Sequence, residues 1–245
     1  MSQIDVIIQA RVNSVRFPYK ILVNIYGKSV LSHCIDRVSR MKTINNIIVA
    51  IPDTFQNDIL EYDISNNKFT KPVYIFRGDE YDVLDRYYKA ATNYESDIIV
   101  RITSDCPLID AGVSDSVVTG YLNNECDMCF NSKPRTYPLG LDTQVIDYDL
   151  LKFVWKNAST QYDREHVVPF IIDNQDKFKI LNITNNNNIG NLRWTIDYPE
   201  DMQFIIEVYK RLYNKNIYFS MKDILNILEK EPYLNNINKR NVSNE

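Results

Sequence analysis

Four short apolar runs punctuate the first 103 residues, and polar segments separate them. DVIIQA (5–10), NNIIVAI (45–51), PVYIF (72–76) and DIIVRIT (97–103) are almost continuous in Val and Ile. Runs this short and this rich in β-branched residues predict strands buried on both faces, as in a parallel sheet. Between them the spacing becomes helical. Leu31, Ile35 and Val38 share one face, and Val83, Leu84, Tyr87, Tyr88 and Ala91 share another, with Asp82 placed to cap the second helix. A polar helix-like stretch lies between the second and third runs. Strands alternating with helices predict an α/β fold, a mostly parallel sheet with helices on both faces. Ligands of such sheets bind beyond the carboxyl ends of the strands.

The pattern changes after about residue 125. CDMCFN (126–131), TQVIDY (143–148), FKILNIT (178–184) and LRWTID (192–197) read as strands, and DREHVVPFII (163–172) as one short helix. PEDMQFIIEVYKRL (199–212) and SMKDILNILEK (220–230) read as helices, with Pro199 suited to a first turn. TNNNNIGN (184–191) reads as a turn or loop, and the last ten residues as a polar, frayed end. No repeat is visible and no Pro/Gly/Ser linker divides the chain. Its 245 residues, 44% apolar, therefore suit a single domain over 1–245.

Charge narrows the partners. The net charge is −4 and the pI about 5.3, with no long basic block, which argues against nucleic acid as the main partner. No run of about 18 apolar residues predicts a membrane span. MSQIDVIIQ has neither a basic leader nor a cleavage site, so a cytoplasmic location is expected. Cys126 and Cys129 form a C-x-x-C without the second pair or nearby His that a zinc site needs. Cys34, Cys106, Cys126 and Cys129 are thus expected to be free thiols.

Candidate chemistry gathers where the strands end. Arg11, Ser14, Arg16 and Lys20 follow the first strand within ARVNSVRFPYKIL. Neither G-x-G-x-x-G nor G-x-x-x-x-G-K-[ST] is present, so a triphosphate bound here is held largely by side chains, Arg forking two oxygens and Lys acting as a point charge. The same loop also reads as a solvated surface turn. Asp105, in RITSDCPLID, follows the fourth strand. It suits Mg²⁺, which prefers oxygen ligands and phosphates, but Asp is also a common turn former before Pro. Asp197, in LRWTIDYPED, is either a second metal ligand or a helix cap, while Asp201 sits where a cap belongs. Two such aspartates beside a cationic loop suggest metal-assisted phosphoryl chemistry. Tyr137, in TYPLGLD, and Arg164 and His166, in DREHVVPF, are polar groups among turn-forming residues. Arg164 suits an anion, and His166 suits a general base or a structural hydrogen bond.

Together ARVNSVRFPYKIL, IYGKSVLSHCIDR, RGDEYDVLDRYYKAA, DIIVRITSDCPLID, TYPLGLD, DREHVVPFI and RWTIDYPEDM resemble the CTP-dependent sugar-acid cytidylyltransferases, the acylneuraminate and 3-deoxy-manno-octulosonate enzymes among them. The resemblance spans about residues 4–235 and is nearest to the spore-coat polysaccharide branch. It implies a Rossmann-like nucleotidyltransferase fold and a homodimer, with about 130–185 serving dimerisation and the acceptor pocket. It implies that Arg11, Ser14, Arg16 and Lys20 hold the CTP phosphates, that Ala10, Thr103 and Ser104 belong to the nucleotide site, with Ala10 and Thr103 where the cytosine is read, and that Asp105 and Asp197 bind Mg²⁺. Tyr137, Arg164, His166 and Arg193 would line the side that takes an anionic sugar. The chain departs from the family pattern at two points. Tyr19 stands where Gly is frequent, in Phe17-Pro18-Tyr19-Lys20, and Val15 where Thr is common. A nucleotide-sugar glycosyltransferase and an inactive nucleotide-binding scaffold are the competing readings. Ser104-Asp105-Cys106 lacks the second Asp of a D-x-D motif, which weighs against the first. The joint presence of Arg11, Lys20, Asp105 and Asp197 weighs against the second.

Overall fold

A computed structural model describes residues 2–239. The elements run β1 (Ile4–Gln9), β2 (Asn24–Ile25), β3 (Lys28–Ser29), α1 (Val30–Val38), β4 (Asn46–Pro52), α2 (Asp58–Ser65), β5 (Val73–Gly78), α3 (Val83–Asn93), β6 (Ile98–Thr103) and α4 (Ala111–Asn123). They continue with β7 (Met128–Phe130), β8 (Gln144–Asp147), α5 (Tyr148–Asn157), α6 (Gln161–His166), α7 (Pro169–Asp173), β9 (Ile180–Asn182), α8 (Pro199–Leu212) and α9 (Met221–Lys230). Seven strands form one sheet in the order β5-β4-β1-β6-β8-β7-β9. β5, β4, β1 and β6 are mutually parallel, as their apolar runs predict, but β5 lies at the sheet edge and is only half-buried, not covered on both faces as its run suggested. β8 runs antiparallel to both β6 and β7, so the sheet is mixed at the end built by the later sequence.

The two faces of β1 show how the layers form. Val6 and Ile8 pack into one core with Leu31 and Ile35 of α1, and Ile7 packs into the other with Leu84 and Tyr87 of α3. Alternate side chains of a strand point to opposite faces, so a run that is apolar at every position needs a helix on each side. Full burial of each such side chain contributes about 1.5–3 kcal/mol. A third core joins Trp194, Phe204, Tyr209 and Phe219 to α8 and α9, away from the sheet.

Capping follows the sequence closely. Asp82 accepts from Asp85 N at 2.9 Å at the start of α3, and Pro199 occupies the first turn of α8. Three expectations need correction. LRWTID is not a strand of the sheet. It is an extended segment that makes one parallel bridge, Leu139 to Arg193, because its apolar side chains are drawn into the third core. DREHVVPFII is two helices, α6 and α7, divided at Val167, whose φ is 74°. Helices α4 and α5 were not read from the sequence at all. Of the expected frayed end, residues 240–245 lie outside the described residues.

Candidate active site

β1 releases the chain at Ala10, whose N–H still donates to Ala50 O of the neighbouring strand at 3.1 Å. The loop that follows folds back on itself. Ser14 N and Tyr19 N both donate to Val12 O at 3.0 Å, and Val12 N donates to Asn57 Oδ1 at 3.1 Å. Tyr19, at φ 58°, turns the chain into a short 3-10 helix, Lys20–Leu22. That turn carries the Lys20 side chain inward, where the residue is 8% exposed.

The Lys20 ammonium has three N–H donors and three acceptors: Asp105 Oδ2 at 2.7 Å, Asp197 Oδ1 at 2.8 Å and Ile196 O at 2.5 Å. Burial alone would lower its pKa. The carboxylates of Asp105 and Asp197 outweigh burial and raise it above the ordinary 10.5, so Lys20 is charged. Asp197 shows the converse. Burial opposes its ionisation, but Lys20, then Arg16 and Arg193, hold it below the ordinary 3.8. Arg16 Nη2 lies 2.6 Å from Asp197 Oδ1, and Arg193 Nη2 2.7 Å from Asp197 Oδ2.

Asp197 reaches this point without a sheet strand to carry it. Ile196 N donates to Asp105 O at 3.0 Å, and Trp194 N to Leu139 O at 2.7 Å. Fully buried Asp201 accepts from Asp197 N at 2.9 Å and Tyr198 N at 3.0 Å through one oxygen. Its other oxygen accepts from Arg193 Nε and Asn238 Nδ2, each at 3.0 Å. Gly140 permits the close crossing of the two segments. Its φ is +108°, and a Cβ there would stand 2.6 Å from the Trp194 carbonyl carbon.

A cavity of roughly 340 Å³ opens above these groups, within the range of small-molecule sites. Of the sequence-derived candidates, Ala10, Arg11, Ser14, Arg16, Lys20, Thr103, Ser104, Asp105, His166 and Asp197 line it. Three do not. Tyr137 is buried in the third core. Arg164 pairs with Asp82 and donates to Trp155 O at 2.7 Å. Arg193 is 3% exposed and bound to Asp197 and Asp201, where it fixes the Asp197 carboxylate. Burial lowers the His166 pKa, against a raising influence from Glu165, so its imidazole is neutral at pH 7. Val15 is almost fully exposed at the rim.

Sequence reading missed Gln9, Arg86 and Glu165, which also line the cavity. For Arg86 a signal exists. It occupies the same helical stripe as Val83, Tyr87 and Ala90, so it is an arginine on an apolar face. Among the described residues, no group of three or more His, Cys, Asp or Glu side chains is placed to hold a metal ion. The four cysteines are unpaired, and Cys34, Cys106 and Cys129 are buried.

Residues 6–227 match the family described as cytidylyltransferase. The chain belongs to the cytidylyltransferase family. A solved cytidylyltransferase from Leptospira borgpetersenii superposes on this family member with a TM-score of 0.90 at 30% identity, over 96% of this chain and 97% of the other. An uncharacterised protein of Methanocaldococcus jannaschii is 34% identical over 95% of this chain and 93% of its own length. The spore coat polysaccharide biosynthesis protein SpsF of Bacillus subtilis is 27% identical over 95% of this chain and 96% of its own. As a cytidylyltransferase the chain is a nucleotidyltransferase, and among its described residues no helix is long and apolar enough to cross a membrane.

Proposed function

We propose that this cytidylyltransferase transfers CMP from CTP to an acidic sugar, a nonulosonate or related 2-keto acid, or to another anionic acceptor. Pyrophosphate is released and the product serves surface polysaccharide synthesis. The observation that carries the reading is Lys20, charged and shared between Asp105 and Asp197 at the base of a cavity that Arg11 and Arg16 also line. The likeness to SpsF, named for spore coat polysaccharide biosynthesis, supports the polysaccharide role. The protein acts in the cytoplasm as a homodimer. Its 130–185 subregion, where Phe153 and Tyr162 are exposed, supplies the contact.

In this reaction an acceptor hydroxyl oxygen bonds to the α-phosphorus as the bond from that phosphorus to the bridging oxygen of the β-phosphate breaks. The electron pair leaves with pyrophosphate. Arg11, Arg16 and Lys20 bind the phosphates and offset the charge that grows on the leaving group. Neutral His166, in the same cavity, takes the hydroxyl proton. No side chain forms a covalent intermediate.

Mg²⁺ fits this donor set. Two hard carboxylates already converge on one cation, the Lys20 ammonium. Asp105 and Asp197 would hold the metal while Lys20 is released to the phosphates. When bound, Mg²⁺ supplies further positive charge to the phosphate oxygens.

The test is pyrophosphate release from CTP with a panel of sugar acids, joined to a mass-spectrometric search for the CMP conjugate. A CMP conjugate with stoichiometric pyrophosphate is expected. Consumption of a nucleotide-sugar without pyrophosphate would indicate a glycosyltransferase, and neither product would indicate a scaffold.

A further inference from the structure

The chain turns from α6 into α7 in an unusual way. Val167 has φ 74° and ψ −52°, and Val168 N donates to His166 O at 2.9 Å. That is a γ-turn of the rare hand, whose central residue sits near about +75° and −65° and is strained. A β-branched residue there is a genuine outlier. Val168 adds to the strain. It precedes Pro169, yet it lies at φ −102° and ψ −10°, away from the extended region that residues before proline prefer.

The surroundings hold this turn in place. Val167 is 1% exposed and packs with Val168 and Ile171 in the core that α3 covers. The Thr160 hydroxyl caps the start of α6 by accepting from Asp163 N at 3.1 Å, and Val167 N closes its end on Asp163 O at 2.9 Å. Arg164 ties the flank of α6 to Asp82 and to Trp155 O. Strained backbone persists only where its surroundings over-determine it, and it gathers at functional sites. Here the strain adjoins the cavity. Glu165 and His166 line the cavity, and the next residue along lies in the core. A β-turn takes four residues to reverse the chain and a γ-turn three, so neighbouring side chains can serve the wall and the core.

We infer that Val167 is a positioning residue: its buried side chain anchors the strained turn, and the turn holds the His166 imidazole at the cavity, where it takes the acceptor proton. This inference rests on the role given to His166 above. Burial lowers the pKa of that imidazole, Glu165 beside it on α6 raises it, and Arg101 of β6 and Arg11 of the loop after β1 lower it further. The Tyr162 ring lies 4.6 Å away. On α3, which packs against α6, Asp82 is taken by Arg164 and Arg86 lines the same cavity. α7 carries only Asp173, at its far end. A ring released from the turn leaves these surroundings, and its titration returns toward 6.5.

NMR titration of the ligand-free full chain tests this, together with melts, kcat and KM for CTP, in wild type, Val167→Gly, Val167→Ala and Val167→Ile. The chain has two histidines and buried His33 titrates at about 4, so the His166 ring is read on its own. Gly removes the strain and the anchor together, and Ala removes most of the anchor. In both, His166 should titrate closer to 6.5 than in wild type, and kcat should fall roughly ten- to a hundredfold, as a misplaced proton acceptor does. KM for CTP should stay within about twofold, since other residues bind the phosphates. Ile keeps a branched anchor and should retain the wild-type titration and most of the turnover. A folded Gly or Ala variant with unchanged His166 titration, or with unchanged turnover, overturns the inference, as does a KM that rises while kcat holds. Should neither variant melt cooperatively, wild type decides: saturating CTP should shift the His166 ring signals and leave those of His33, and an unmoved His166 overturns the inference. Wild type that makes no CMP conjugate would sink the parent reading, whereas conjugate made equally fast by wild type and folded Val167→Gly would sink this inference alone.

Discussion

The two ends of the cavity treat buried cations in opposite ways. At one end Lys20 has as many acceptors as donors, and Asp197 is gripped by Lys20, Arg16 and Arg193 at once. At the other, Arg86 has unpartnered nitrogens and no carboxylate within bonding distance. The first end is complete without a ligand, so under the proposed function ligand binding there would be an exchange, phosphate replacing carboxylate around Lys20. The second keeps a buried guanidinium whose Nε and Nη1 are unmet and closed to solvent. Exchange suits a reacting centre, where charges must regroup as bonds break.

The contrast is best attacked through the aspartates. Asp105→Asn and Asp197→Asn keep shape and remove charge, and each should lower turnover about a thousandfold, the scale of lost electrostatic stabilisation. The double variant should be scarcely worse, since groups that act as one unit are not additive. Turnover against magnesium concentration, with melts as the folding control, decides it. If Asp197→Asn melts early but turns over normally, Asp197 is a structural support and the exchange picture fails.

Next comes a matched pair of Met substitutions. Lys20→Met should destabilise the ligand-free protein by about 2–3 kcal/mol, because it strips Asp105 of its cation and removes one of three from Asp197. Arg86→Met should cost nothing. Urea titrations of both read the difference, and equal losses would erase the distinction between the two ends.

His33 shows a third solution, in which the charge is given up. Burial lowers its pKa from near 6.5 to about 4, with a contact from Nε2 to Ile25 O at 2.6 Å. The folded value lies below the unfolded one, so protonation favours the unfolded chain. Stability from this site is complete above pH 6.5 and falls as the pH drops toward 4. The loss should be about 2 kcal/mol at pH 5, and His33→Gln should flatten that limb of the stability curve. An unchanged limb in His33→Gln would assign the acid sensitivity elsewhere.

The smallest effect concerns the turn that aims Lys20. Tyr19 holds φ 58°, a region that costs an L-residue roughly 1 kcal/mol. Tyr19→Gly should relieve that strain and return part of it as unfolded-chain entropy. A net gain of a few tenths of a kcal/mol is expected by urea titration. A loss would show that the half-exposed ring supports the loop.

The four parallel strands were legible because each is a short apolar run rich in β-branched residues. Asp82, Pro199 and Asp201 were legible because capping is local chemistry. α4 escaped notice because AGVSDSVVTGYLN buries only Val113, Ser114, Val117 and Val118 and carries small and polar residues between them. LRWTID misled because Trp194 and Ile196 are buried in a helical core that the local sequence does not reveal. The cationic loop and both aspartates could be named beforehand, yet their meeting at Lys20 depends on contacts between residues up to 177 apart. Arg193 was placed on the acceptor side, but an arginine four residues before Asp197 and eight before Asp201 is held by both. Arg86 needed the structure most, since its missing partners are visible only once its neighbours are known.

Asn238 gives the far end of the described chain a say in the chemistry. Its side-chain amide ties Arg193 O to Asp201 Oδ1, each at 3.0 Å, and Asp201 in turn sets the turn that bears Asp197. The described part of the segment after α9 is thus a keystone: none of its residues lines the cavity, yet it steadies the turn that carries Asp197. Trimming the protein back to the end of α9 would leave the sheet whole and the cavity lined by the same residues. Asp201 would then keep its contacts from Asp197 N, Tyr198 N and Arg193 Nε and lose the one from Asn238.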